Sequence, residues 1–123
     1  MKTKKTRTGL RLRVYVRPDV MVGPGRADLL EGIRETGSIA AAGRRMGMSY
    51  KRAWSLIEAM NTEFGSAVVS GAKGGAHGGG SKLTTLGDEI LTRYRRMQKA
   101  TESAIRADLA ALTRKLSVIS DKQ

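Results

Sequence analysis

The sequence predicts an α+β domain, mainly α with a small β hairpin, ending in one long helix. Three observations predict it. Between residues 29 and 64, apolar residues return at three- and four-residue steps in three short stretches, each punctuated by glycine or by a serine suited to capping a helix. A glycine-dominated segment, 71–80, then lies between two short runs that read as strands. After it, a helical period continues almost to the last residue. A chain of 123 residues is long enough for one core and too short for two comfortable ones, so these elements are expected to share a single interior.

Residues 1–9, MKTKKTRTG, are basic and polar without an apolar period, and are expected to form a flexible arm. In LRLRVYVRP, Leu10, Leu12, Val14 and Val16 alternate with Arg11, Arg13, Tyr15 and Arg17, the period of a strand with one buried face, and Pro18 closes it. VGPG at 22–25 is turn chemistry, after which Leu29, Leu30 and Ile33 mark the inward face of a short helix ending near Gly37. Ser38 is placed to cap a second short helix, whose Ile39, Ala42 and Met46 recur at roughly helical spacing until Gly47 interrupts.

Ser49 caps a third helix. Its Ala53, Leu56, Ile57, Met60 and Phe64 form an inward stripe, which leaves Tyr50, Lys51, Arg52, Ser55 and Glu58 free to point outward and Trp54 at the boundary. SAVVSGAKGGAHGGGSKLT then reads as a hairpin with a glycine tip. Thr84 or Thr85 can cap the last helix, with Asp88 and Glu89 in a first turn whose dipole favours negative charge. Its apolar positions are Leu86, Ile90, Tyr94 and Met97, then Ile105, Leu109, Leu112, Leu116 and Ile119, the second group stepping like a coiled-coil seam. Unbroken to about residue 118, this helix runs about 50 Å, longer than so small a core can cover, and a second copy of the chain is the expected partner for it.

Composition narrows the function. Lys and Arg number 23 against 11 Asp and Glu, a net charge of +12, which points to a polyanion. No stretch approaches the length and apolarity of a membrane span and the N-terminus lacks the apolar core of a signal peptide, so a membrane partner and secretion are not expected. There is no cysteine, which excludes disulfides, thiolate metal sites and a cysteine nucleophile and fits a reducing cytoplasm; the single His77 excludes a two-histidine site within one chain. Aromatic residues are 4%, too few for the repeated stacking platforms of many single-strand and RNA binders, so duplex DNA moves ahead.

Three short helices followed by a two-stranded hairpin make the order of a winged helix-turn-helix. Ala40, Ala41, Ala42 and Gly43 allow the second helix to lie close to its neighbour, and Gly47 permits the turn. SYKR then occupies the start of the helix that enters a major groove in this architecture, with Lys51 and Arg52 as candidates for guanine or phosphate and Ser49, Tyr50 and Ser55 for phosphates or bases. The glycine segment is followed by no P-loop signature and opens no G-x-G-x-x-G fingerprint, so it is expected to be a wing presenting Lys73, His77 and Lys82 rather than a nucleotide cradle. Glu31, Glu35, Glu58 and Asp88 show no pairing that suggests acid–base catalysis; neither an enzyme, a metal site nor a cofactor is expected.

GSIAAAGRRMGMSYKRAWSLIEAMN followed by GGAHGGGSKLTTLGDEILTRY resembles the N-terminal DNA-binding domain of ModE-type molybdate-responsive transcription regulators, a relative of the LysR-type helix-turn-helix. The resemblance covers about residues 10–97 and rests on several motifs in the same order. It implies a winged helix, a homodimer, and DNA contact through Ser38, Ser49, Tyr50, Lys51, Arg52 and Ser55, with the wing's Lys73 and Lys82. The expected organisation is a basic arm at 1–9, a DNA-binding domain at 10–84, a dimerisation helix at 85–119 seamed by Ile105, Leu109, Leu112 and Leu116, and a tail at 120–123. Nothing resembling the family's molybdate-binding modules follows the long helix, so molybdate binding by this chain itself is not expected. The implied protein is a cytoplasmic, nucleoid-associated regulator of double-stranded DNA. An oxyanion-binding protein and a non-specific architectural nucleoid protein are the alternatives.

Overall fold

The computed structural model describes residues 9–71 and 80–121. Residues 1–8 of the basic arm, the wing tip with Lys73 and His77, and the last two residues of the tail lie outside the described residues. The element order is β1 (Val14–Arg17), β2 (Val20–Val22), α1 (Pro24–Thr36), α2 (Ile39–Arg45), α3 (Tyr50–Phe64), β3 (Val69–Gly71), β4 (Ser81–Leu83) and α4 (Thr85–Asp121). Each strand pair is a separate two-stranded antiparallel sheet. Three helices and a following hairpin give the winged helix-turn-helix order that the sequence predicts.

The N-terminal strand is the main departure. β1 begins only at Val14, and after the turn at Pro18 and Asp19 the chain returns as β2, a strand in the short stretch between Pro18 and the turn chemistry of VGPG, to which the sequence reading assigns no element. The register pairs Tyr15 with Met21 and Arg17 with Val20, so Val16 is the extra residue of a bulge and stands 59% exposed. Its expected place in the core is taken by Val20 and Val22, both nearly fully buried. A bulge breaks the two-residue period, and alternation alone cannot reveal where it falls.

The helical expectations hold more closely. Leu29, Leu30, Ile33, Ile39, Ala42, Ala53, Ile57, Met60, Ile90 and Tyr94 all enter one core, joined by Val68 and Leu91. Pro24 starts α1, where its missing N–H is unneeded, and Gly37 ends the helix in the left-handed conformation at φ 72°. Small residues bring α1, α2 and α3 together: a Cβ on Gly32 would stand 2.9 Å from the Ala42 Cβ, and one on Gly43 would stand 3.3 Å from the Ala53 Cβ. Gly47, at φ 70° with open space around it, is required for its backbone conformation rather than for room.

Thr84 is the residue that caps α4, its hydroxyl accepting the Gly87 N–H at 3.0 Å. The first turns of α4 are clasped to α1 by Arg34–Asp88 at 2.7 Å and by Arg95, which reaches both Asp28 and Glu31 at 2.8 Å. Tyr94, fully buried, donates its hydroxyl to the Leu12 carbonyl at 2.6 Å and so anchors the segment entering β1. Burial raises the Tyr94 pKa. Beyond Gln98 the 37-residue helix projects from this body. It carries Leu109 at 39% exposure and Leu112 and Leu116 at 65%, with Gly9 and Leu10 bordering an open groove against Ile105 and Leu109.

Candidate nucleic-acid interface

α3 is built to keep one side inside and one side out. Ala53, Ile57 and Met60 are fully buried, and with about 100° between successive residues the opposite direction belongs to Lys51, Ser55 and Glu58, all exposed. Arg52 and Tyr50 flank that stripe on its two sides, Tyr50 being 50% exposed. The Trp54 indole N–H donates to the Tyr50 hydroxyl at 2.6 Å, so the phenol is held across the first turn and its own proton is free to be donated outward.

Two of the three serines in the predicted set, Ser49 and Ser38, make the same cap in different surroundings. Ser49 is exposed; its hydroxyl accepts the Arg52 N–H at 3.1 Å and caps α3 while the hydroxyl proton stays available. Ser38 caps α2 in the same way, accepting the Ala41 N–H at 3.0 Å, but it is only 9% exposed and its backbone N–H is bonded to the Thr36 hydroxyl. Its geometry positions α2. Ser49, Tyr50, Lys51, Arg52 and Ser55 are brought together on the leading turns of α3, whereas Ser38 stands apart at the α1–α2 corner.

Lys82 is exposed on β4, where its Cα partner is Ser70. The hairpin is fixed to the corner of the helices, because the Ser81 N–H donates to the Gly37 carbonyl at 3.0 Å. Its other end is fixed to α3, since Asn61 accepts the Val68 N–H at 2.9 Å. The hairpin strands β3 and β4 are thereby tied to the helices beside them.

Charge is distributed unevenly. Among the described residues, Asp19, Asp28, Glu31, Glu35, Glu63, Asp88 and Glu89 each lie within reach of an arginine. The tightest arrangement joins the start of α1 to the end of α3: Arg26 holds Glu63 bidentately at 2.7 and 3.0 Å, and Glu63 also accepts the Met21 N–H at 3.1 Å. The Arg26 hydrogen bonds lower the Glu63 pKa against the opposing effect of burial, with the Met21 N–H helping. Lys51, Arg52 and Lys82 have no such partner among the described residues, and neither does exposed Arg44 at the end of α2. Arg44 was not singled out by the sequence; the twin arginines of GRRMG look alike until the fold pairs Arg45 with Glu35 at 2.6 Å and leaves Arg44 alone.

No cluster of three or more His, Asp or Glu suited to a metal ion occurs among the described residues, and none of their helices is long and apolar enough to cross a membrane. Every buried side-chain polar atom among them has a hydrogen-bond partner.

No protein-family model matches the chain. It is 37% identical over 112 residues to the molybdenum-pterin-binding protein MopB of Rhodobacter capsulatus, an alignment covering 85% of this chain and 42% of that protein. It is 33% identical over 97 residues to the transcriptional regulator ModE of Haemophilus influenzae, covering 79% of this chain and 38% of that one. The chain thus spans about two fifths of the length of these curated relatives. Among solved structures it is similar to the CbnR DBD in a crystallised complex with DNA. The TM-score is 0.56 at 24% identity, over 71% of this chain and 95% of that one, a likeness of fold.

Proposed function

The chain belongs, through its winged helix-turn-helix, to the family of ModE-type regulators, and from that premise we propose that it is a sequence-specific, double-stranded DNA-binding transcription regulator that acts as a homodimer. The observation that carries this reading is the leading end of α3, where Ser49, Tyr50, Lys51, Arg52 and Ser55 face solvent without carboxylate partners among the described residues while Gly43 of α2 packs against Ala53 on its inner side. A helix presented in this way enters the major groove with its N-terminal residues on base edges, and its dipole favours phosphate nearby. Arg44 and Lys82, with Lys73 of the wing tip, supply contacts to the flanking backbone or minor groove.

Residues 10–84 form the DNA-binding unit and 85–119 the dimerisation helix, whose Ile105, Leu109, Leu112 and Leu116 recur as a seam. The exposure of those leucines supports the assignment, because a lone helix of this length gains nothing from displaying them to water. Two such units address half-sites about one helical turn apart, or a multiple of it. The working compartment is the cytoplasm with its nucleoid, and genes of molybdenum handling are the targets that the family relationship suggests.

The test is selection from a random duplex pool, followed by titration of the selected site. A single recurrent half-site motif is expected, with affinity falling about three to five decades between 50 and 200 mM salt if about 6–10 phosphates are neutralised. Binding indifferent to sequence would leave an architectural role instead. MopB's name raises a molybdenum ligand as a second question. Equilibrium dialysis with molybdate decides it by whether uptake saturates.

A further inference from the structure

Glu58 does not fit a surface made only for holding phosphate. It lies on the outward stripe of α3 with Lys51 and Ser55, seven and three residues behind it, and it is exposed without an ion-pair or hydrogen-bond partner among the described residues. Seven other carboxylates are spent on arginines elsewhere in the molecule. Lys51, Ser55 and Glu58 stand at i, i+4 and i+7, positions among those by which a helix lying in a major groove reads bases over two turns. Lys51 and Glu58 are separated by about 10.5 Å along the axis, close to three base-pair steps.

Along that stripe the hydrogen-bonding character changes. An ammonium only donates, a hydroxyl does either, and a carboxylate only accepts. In the major groove the acceptors are guanine O6 and N7, adenine N7 and thymine O4, and the amino donors are cytosine N4 and adenine N6. Resting on the DNA-binding reading above, we propose that Glu58 is a specificity-determining residue that accepts a hydrogen bond from an exocyclic amino group, that of cytosine first. It gives the half-site a polarity: an acceptor edge under Lys51 and an amino edge about three base pairs further on. A pair in the reverse orientation, which puts guanine O6 or thymine O4 under the carboxylate in place of the amino group, is repelled.

The experiment is duplex selection with the full chain in four forms: wild type, Lys51→Ala, Glu58→Ala and Glu58→Gln. Wild type is expected to show a cytosine preference about three steps from the position whose preference Lys51→Ala erases. Glu58→Ala is expected to lower that preference by about 5-fold or more while the rest of the motif stays. Glu58→Gln moves it toward adenine, whose N6 and N7 match an amide. The inference is overturned if both Glu58 variants keep the wild-type motif and bind all duplexes tighter by one common factor, the mark of a removed charge alone. If wild type selects no sequence, the DNA reading fails and takes this inference with it, an outcome separable because it is read in the wild-type arm.

Discussion

The junction of α1 with α4 and the leading turn of α3 each carry two cations, and they use them in opposite ways. At the junction Arg34 and Arg95 are consumed by Asp88, Asp28 and Glu31, so the charge is neutralised locally and the guanidinium planes tie two helices together. On α3, Lys51 and Arg52 have no carboxylate within reach among the described residues. A net charge of +12 is therefore not spread evenly over the surface. What makes a basic residue structural or free to bind is the position of the acids, and sequence counts contain no such information. If this division is right, substitutions on one side change stability and leave DNA preference alone, and substitutions on the other do the reverse.

The largest expected effect is on the buried side of the binding helix itself. Ile57→Ala removes a fully buried side chain and is expected to cost about 2–5 kcal/mol of stability, measured by urea unfolding, with the selected DNA motif unchanged in whatever protein stays folded. Next comes the Arg26–Glu63 fork, whose side chains are 13% and 24% exposed. Glu63→Gln is expected to cost about 1.5–3 kcal/mol near neutral pH. The folded-state pKa of Glu63 lies below its ordinary value of 4.5, so its contribution is complete above that value and fades as pH falls through the lowered one. Wild type and Glu63→Gln should therefore converge in stability on acidification; a gap that stays constant down to pH 3 would refute the assignment.

A smaller effect separates two glycines of the same helix. Gly32→Ala places a Cβ 2.9 Å from the Ala42 Cβ and 3.2 Å from the Ala42 backbone Cα, so α1 and α2 must move apart. The overlap is worth about 1–3 kcal/mol, against about 1 kcal/mol of helix propensity gained. Gly25→Ala in the same α1 meets nothing within 4 Å and is expected to stabilise by about 0.4–1 kcal/mol. Opposite signs for one substitution at two sites, read from thermal midpoints, would establish that the small-residue contact, rather than helix propensity, governs this interface.

Legibility in the sequence followed the range of the physics involved. The caps at Ser38 and Ser49 and the inward stripes of α1, α2 and α3 were legible because each depends on residues within a turn or two. β2 was not legible, since three residues flanked by a turn and a Pro–Gly pair carry too short a period to declare a strand. Leu91 is not legible as core, because the stripe through Leu86, Ile90 and Tyr94 defines one face while the body wraps α4 more widely there. The separation of Ser38 from Ser49 could not be read locally at all: both make the same cap, and only tertiary packing buries one of them.

The smallest change in stability belongs to the residue with the largest expected effect on binding. Lys51→Ala removes an exposed, unpaired side chain from the leading turn of α3, and alanine is at least as good a helix former, so stability should stay within about 0.5 kcal/mol. Binding should respond in one of two distinguishable ways. If the ammonium meets phosphate, affinity falls by a similar factor on every duplex and the slope of log K against log salt becomes shallower by about 0.9, one counterion fewer released. If it meets a guanine, affinity falls mainly on the selected site, by about 1–3 kcal/mol, and the motif loses one position. An unchanged slope together with an unchanged motif would place Lys51 outside the DNA footprint and return the leading turn of α3 to the ordinary solvated surface that the α1–α4 junction so clearly is not.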